Sequence, residues 1–154
     1  MLLTGTFPRT FDEKLRIALP KPVRDELKIE EGSVLYVTPG TDGSLAIYSP
    51  AVLEQLAARL AQSSPTGQDV RTFGRLFYAQ AFRADVDKQG RVRFSQELVT
   101  LAGVTKEAVL VGAGDHLELW DKNRWAAYLA QHQPRYDQIA EAAFNPNPNP
   151  NPSH

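Results

Sequence analysis

The chain has 154 residues, of which 42% are hydrophobic and 23% are charged, a composition typical of a soluble globular protein. It contains no cysteine, which excludes disulfide bonds and thiolate metal ligands and suits a reducing cytoplasm. No stretch approaches the roughly 20 consecutive apolar residues of a membrane-spanning helix, and the N-terminus lacks the pattern of a signal peptide. We therefore expect a cytoplasmic protein.

Positive charge is concentrated in two segments, although the whole chain carries a formal net charge of −1. Residues 1–28 hold six Lys and Arg against four Asp and Glu, and residues 71–93 hold six against two. The rest of the chain therefore carries a net charge of −7. Clustered positive charge is typical of surfaces that bind phosphate backbones, and it is equally consistent with a solvated face of unevenly scattered charges.

In chain order, the first elements are two short strands and a helix. Residues 4–11 alternate as a strand, and Pro8 favours an edge position because it cannot donate a ladder hydrogen bond. Residues 16–19 are interpreted as the returning strand, which makes residues 12–15 the turn between the two. A short helix is predicted after Pro20.

A hairpin and a second helix follow. Residues 34–37 are β-branched and aromatic, as in a strand, and residues 45–48 form the next apolar run. Asp42-Gly43 lies between them and is a strong hairpin signal. Ser49 then predicts the N-cap of a helix with an apolar stripe. The first module is therefore β-β-α-β-β-α and occupies residues 1–62.

The same pattern begins again near residue 79. With an offset of 75 residues, Asp12 matches Asp87 and Arg16 matches Arg91, and the match continues through the helix, the hairpin and the closing helix. The sequence therefore predicts a duplicated module. Because units of about 75 residues bury too little surface to be stable alone, we expect the two halves to share a core.

The remaining segments are predicted from composition. Residues 63–78 form a linker rich in Ser, Pro and Gly, with room for a short helix that Gly74 interrupts. The second module then occupies residues 79–144. Residues 145–154 alternate Asn and Pro and predict a disordered tail.

Each module places an aspartate four residues before an arginine, at the turn after its first strand. The carboxylate can accept backbone N–H bonds within such a turn. Gly90 supplies a positive φ before Arg91, whereas Leu15 occupies that position in the first copy, so the two turns need not share one geometry. An isolated Asp-Arg pair of this spacing predicts only a salt bridge that fixes the turn.

The crowding of further cations at both turns predicts a bound anion, because like charges so close together repel. Arginines on turns suit duplex DNA, where they bind guanine edges or phosphates. The candidate DNA-binding residues are Arg9, Lys14, Arg16, Lys88, Arg91 and Arg93, and the candidate turn-structuring residues are Asp12, Asp87 and Gly90.

The motif sequences Asp12-Glu-Lys-Leu-Arg16-Ile-Ala-Leu-Pro20 and Asp87-Lys-Gln-Gly-Arg91-Val-Arg-Phe-Ser95 resemble those of the MraZ family. The order of elements resembles the SpoVT-AbrB swapped-hairpin superfamily. The resemblance covers roughly residues 1–144. The family pattern has Gly at the position of Leu15, and it often has Pro at the position of Ser95, so these two departures bear on the shape of the turns.

This resemblance implies an α+β fold in which two tandem swapped-hairpin modules pack as one pseudo-two-fold, intertwined unit. It also implies a transcriptional regulator that binds short direct repeats of double-stranded DNA in the promoter of the division and cell-wall gene cluster. Family members assemble into rings of several subunits. We therefore expect a homo-oligomeric ring, located in the cytoplasm and associated with the nucleoid.

Other functions are less well supported by the residues. The three histidines share no metal-ligand spacing, and the loop at Gly112-Ala113-Gly114 leads into a strand instead of the helix of a dinucleotide site. We expect no enzyme activity, no cofactor, no metal and no small-molecule substrate. Two alternatives remain open: a ring-forming scaffold that binds an acidic protein, and a hydrolase that uses Asp12 or Asp87. Nearby arginines disfavour the hydrolase because they lower a carboxyl pKa.

Overall fold

The computed structural model describes residues 1–63 and 66–145, and within them the elements follow the predicted duplication. The first half contains β1 (Thr6–Thr10), β2 (Arg16–Ala18), α1 (Lys21–Leu27), β3 (Val34–Pro39), β4 (Leu45–Tyr48) and α2 (Pro50–Ala61). After α3 (Gln68–Gln80), the second half contains β5 (Phe82–Asp85), β6 (Arg91–Arg93), α4 (Gln96–Leu101), β7 (Glu107–Gly112), β8 (Leu117–Asp121) and α5 (Lys122–His132). A 3₁₀ turn, Gln133–Arg135, leads into α6 (Tyr136–Phe144). The Asn-Pro tail, apart from Asn145, lies outside the described residues.

An antiparallel sheet with the strand order β1-β7-β8-β4-β3-β5 joins the two halves, which exchange their first strands. β1 pairs with β7 of the second half, from Thr6 opposite Val111 to Thr10 opposite Glu107. β5 pairs in the same way with β3 of the first half. The chain is therefore α+β with an antiparallel sheet, and neither half closes a sheet of its own. Pro8 lies in β1 at the edge of the sheet, as predicted.

The core lies where the two halves meet. β4 and β8 are neighbours at the middle of the sheet, with Leu45 opposite Leu119 and Ile47 opposite Leu117. These four side chains are at most 2% exposed. Leu45 and Leu117 are equivalent positions of the repeat, as are Ile47 and Leu119, so the register relates the halves by an approximate two-fold axis. The shared core is the expected solution for two halves that are too small to fold separately.

β2 and β6 form a separate two-stranded antiparallel ribbon. Ile17 lies opposite Val92, and both are buried against the core. The interpretation of β2 as a strand that returns along β1 is therefore wrong. The apolar side chain at the middle of β2 can be buried beside either partner, and local sequence does not distinguish them. Only the strand exchange between the halves brings β6 alongside.

Several local signals took their predicted form. Asp42 and Gly43 have φ values of 59° and 80° in the β3–β4 hairpin, the positive region that a tight hairpin turn requires. The Ser49 hydroxyl accepts the Val52 N–H at 3.3 Å and caps α2. Ser95 caps α4 in the same manner, so this residue serves as an N-cap where the family pattern often has proline.

Gly112 provides a test of how closely the N-terminal segment packs. A Cβ at this position would lie 2.4 Å from the Thr4 nitrogen, and those neighbours are backbone atoms that cannot rotate away. We expect Gly112→Ala to destabilise the fold by about 3 kcal/mol. The matched control is Gly74→Ala in α3, where no atom lies within 4 Å, and there a gain of about 1 kcal/mol is expected from helix propensity. Urea unfolding midpoints measure both, and an unchanged midpoint for Gly112→Ala would contradict the packing.

The chain divides into two compact units, residues 1–122 and residues 123–154. The first unit contains the sheet and the ribbon. The second contains most of α5 and all of α6, and within it the Trp125 and Tyr128 rings stack with centroids 5.9 Å apart. Among the helices of the described residues, none combines the length and apolar character needed to span a membrane.

Candidate nucleic-acid interface

The first turn of the ribbon (residues 12–15) is organised by the carboxylate of Asp12. Its Oδ1 accepts the backbone N–H groups of Lys14 and Arg16, each at 2.9 Å. The Asp12 N–H donates to the Arg16 carbonyl at 3.1 Å, and the Leu15 N–H donates to the Asp12 carbonyl at 3.0 Å. One side chain therefore satisfies the donors of the turn, as Asx turns do.

The second turn (residues 87–90) repeats this geometry. Asp87 Oδ1 accepts the N–H groups of Gln89 and Arg91, again at 2.9 Å. Leu15 has a φ of 58° and Gly90 has a φ of 76°. The inference that these positions could give different turns is therefore wrong, because Leu15 adopts the conformation that normally favours glycine. That conformation costs about 1–2 kcal/mol for a leucine, and packing of its side chain against the core opposes the cost.

The two turns are joined by a tetrad of alternating charges, formed by Asp12, Arg16, Asp87 and Arg91. Within each turn, the arginine Nε lies 2.7 Å from the Oδ2 atom of its own aspartate. Between turns, Arg16 Nη1 lies 3.9 Å from Asp87 Oδ2, and Arg91 Nη1 lies 3.8 Å from Asp12 Oδ2. The side chains are between 26% and 34% exposed. Each arginine therefore bridges both turns and remains partly accessible to solvent.

The tetrad alters the ionisation of both aspartates. Desolvation acts to raise the pKa of Asp12, but hydrogen bonds from the Arg16 backbone and guanidinium and from the Lys14 backbone hold this pKa below its ordinary value. Asp87 has a lowered pKa for the same reasons, with Arg91 and Gln89 as donors. Both carboxylates are therefore charged at neutral pH, and neither has the raised pKa of a general acid.

A lowered pKa predicts a specific loss of stability in acid. The aspartates stabilise the folded chain above the ordinary carboxyl pKa of about 4, and this contribution is lost as pH falls through their lowered folded-state values. We expect the urea midpoint to fall more steeply between about pH 5 and pH 2 in the natural chain than in the double variant Asp12→Asn, Asp87→Asn. Asparagine keeps the acceptor for the turn but does not titrate. Parallel pH profiles for the two proteins would contradict the ion-pair contribution.

The other predicted cations surround the tetrad. Arg93 lies directly opposite Arg16 in the ribbon. Arg9 reaches the ribbon from β1, and its Nε donates to the Ala18 carbonyl at 2.8 Å. Lys14 lies in the first turn and Lys88 in the second. Lys88 Nζ lies 3.8 Å from a Glu31 carboxylate oxygen, in a pair whose two side chains are 82% and 71% exposed.

The structure thus brings all six predicted DNA-binding residues to one ribbon. The apolar residues of β2 and β6 face the core, and the other face carries Arg16, Ala18, Arg91 and Arg93. Sequence reasoning counted Arg24 of α1 only as one of the N-terminal cations. In the fold, a Cβ on Gly90 would lie 2.7 Å from Arg24 Cδ, so this side chain packs against the second turn. No local sequence signal connects these two positions.

His116 lies in the β7–β8 loop, in a separate group. Its Nδ1 is 2.8 Å from Asp115 Oδ1, and its Nε2 is 3.3 Å from Glu118 Oε2. The Glu118 hydrogen bond raises the pKa of His116 above its usual value, against desolvation, and Asp115 adds to the effect. Across residues 1–63 and 66–145, no group of His, Asp and Glu is arranged to hold a metal ion.

Comparison with known families bears on this duplicated ribbon. The family model described as "MraZ protein, putative antitoxin-like" matches the chain twice, over residues 2–76 and residues 77–147. The chain belongs to the MraZ family. The two MraZ matches meet inside α3, and each contains one copy of the Asp-x-x-x-Arg turn.

Relatives in the MraZ family cover nearly the whole chain. A protein named transcriptional regulator MraZ from Corynebacterium kroppenstedtii is 40% identical over 140 residues, which span 91% of this chain and 95% of the relative. Proteins of the same name from Saccharopolyspora erythraea and Lactobacillus helveticus are 36% and 34% identical over the same shares. A solution structure from Pyrococcus horikoshii covers 77% of this chain and 89% of its own, with 16% identity and a TM-score of 0.36, a likeness too low to support an argument.

Proposed function

We propose that this chain is a sequence-specific DNA-binding transcriptional regulator, as its relatives are named. The observation that carries the proposal is the concentration of six predicted cations at one two-stranded ribbon and its turns. The major groove of DNA is wide enough to admit a two-stranded β-ribbon. The approximate two-fold repeat gives one chain two turns with which to approach the duplex.

The tetrad suggests how the arginines take part. Arg16 and Arg91 each use Nε to bind an aspartate, and the guanidinium has further donors for a guanine edge or a phosphate. Because the aspartates hold both guanidinium groups in place before DNA arrives, less side-chain entropy is lost on binding. Lys14, Lys88 and Arg93 are assigned to phosphates, which position the ribbon without reading sequence.

Finer features of the proposal follow the family resemblance. The fold is assigned to the swapped-hairpin type, with modules at residues 1–62 and 79–144 joined by residues 63–78, and the exchange of first strands supports it. The proposed target is a set of short direct repeats in the promoter of the division and cell-wall gene cluster. The proposed active form is a ring of several chains, located in the cytoplasm at the nucleoid. We propose no catalytic role, since the aspartates are occupied by N–H groups and arginines.

The test is binding of the purified chain to the DNA immediately upstream of its own gene. We expect this duplex to compete at least about three orders of magnitude better than random duplex, and binding to weaken steeply with salt. Equal competition by random duplex would contradict sequence-specific regulation. Failure of both duplexes, together with binding to an acidic protein, would favour the scaffold alternative.

A further inference from the structure

The two ends of the ribbon have different neighbours. At the first turn, the Phe94 N–H donates to the Leu15 carbonyl at 2.8 Å, which places the start of α4 beside that turn. At the second turn, the Leu19 N–H donates to the Gly90 carbonyl at 2.9 Å, which places the start of α1 beside it. The approximate two-fold axis therefore exchanges α1 with α4, and any difference between these helices distinguishes the two ends.

Charge differs strongly between the ends. Arg9 and Arg24 serve the second turn, and their equivalents in the other half are Ala84 and Val99, which are apolar and at most 3% exposed. The tetrad itself is neutral. The second end therefore adds the cations Arg9, Arg24 and Lys88, with Glu31 beside the lysine, whereas the first end adds Lys14 and Arg93 with Glu13 in the turn.

Arg24 is an unusual member of this set. Its Nε is buried and has no hydrogen-bond partner, and the side chain forms no ion pair in the part of the chain that the structure describes. Gly90 makes this packing possible, since a Cβ there would lie 2.7 Å from Arg24 Cδ and 3.4 Å from Nη1. A guanidinium held against a turn without a counter-ion lacks the stabilisation that an anion would supply.

We propose that Arg24 makes the second turn the phosphate-binding end of the ribbon, so that the chain lies on duplex DNA in one fixed orientation. This inference rests on the proposed function. A ribbon with two equal ends would bind a site in both orientations and would suit a palindrome. Unequal ends select one orientation, which is the property needed for sites repeated in the same direction. A charge-assisted contact made at only one end favours that orientation by about tenfold or more.

The chain has no cysteine, so a single introduced cysteine can carry a DNA-cleaving iron-EDTA label. Glu13→Cys labels the first turn and Gln89→Cys labels the second, at two exposed positions. Each labelled protein is bound to a duplex that carries one site from the DNA upstream of the chain's own gene. We expect each label to cut on one side of the site, and the two labels to cut on opposite sides. Equal cutting on both sides would overturn the fixed orientation, whereas failure of the unlabelled protein to bind would count against the proposed function itself.

The role of Arg24 is tested with Arg24→Met, which keeps an unbranched stem against Gly90 and removes the charge. We expect the cutting by each label to become more equal on the two sides, and the slope of log affinity against log salt to fall by about one. Lys21→Met is the matched control, because Lys21 lies on the same helix with a side chain 75% exposed, and it should change neither quantity. An Arg24→Met protein that keeps both the cutting pattern and the salt slope would overturn the assignment, even if its stability is reduced.

Discussion

Replacing Arg16 and Arg91 together with alanine is expected to weaken binding to promoter DNA by about a hundredfold or more, since each arginine in register with a guanine contributes roughly 1–3 kcal/mol of discrimination. The removal of two cations should also lower the salt slope by about two. Fluorescence anisotropy with a labelled promoter duplex measures affinity and slope, and far-UV circular dichroism checks that the variant is folded. A folded variant with normal affinity would exclude direct recognition by these arginines.

The tetrad calls for a second comparison, because Arg16 and Arg91 also hold the turns. The double variant Asp12→Asn, Asp87→Asn loses the ion pairs and keeps both cations and the turn acceptors. If the arginines bind DNA directly, this variant should retain the full salt slope and the arginine variant should not. Equal losses of affinity with unchanged slopes in both variants would confine the arginines to a role in shaping the turns.

Affinity is expected to depend even more strongly on the number of sites in the duplex. One chain offers few cations, so the proposed ring should bind a duplex with two or more repeats about 10²–10⁴-fold more tightly than a duplex with one. Insertion of half a helical turn between the repeats should remove most of this gain, whereas insertion of a full turn should preserve more of it, because neighbouring chains must face the same side of the DNA. Light scattering gives the number of chains in the free protein and in the complex. A constant affinity per repeat would contradict simultaneous binding by several chains.

Features that depend on a few consecutive residues could be predicted from the sequence. The Asp42-Gly43 hairpin and the Ser49 cap are formed by groups no more than a few residues apart. The linker helix was only partly anticipated. α3 extends over Gln68–Gln80 and passes through Gly74, because a single glycine weakens a helix by only about 1 kcal/mol.

The two errors concern choices that local sequence leaves open. β2 has the same apolar centre whether it pairs with β1 or β6, and the exchange of strands between the halves selects β6. Leu15 has little intrinsic preference for a positive φ. It adopts one because the N–H bonds to Asp12, the ion pair with Arg16 and the packing of its own side chain all require that turn.

By itself, the sequence determined the duplication, the kinds of residue at each turn and the concentration of cations, because these are properties of residue order and spacing. Only the tertiary structure decided that Asp12, Arg16, Asp87 and Arg91 meet in one tetrad and that Arg24 packs on Gly90. These contacts join residues more than sixty positions apart, and they form because each half completes its sheet with a strand of the other. No local periodicity encodes that exchange. It follows from the need of two small halves to bury one common core.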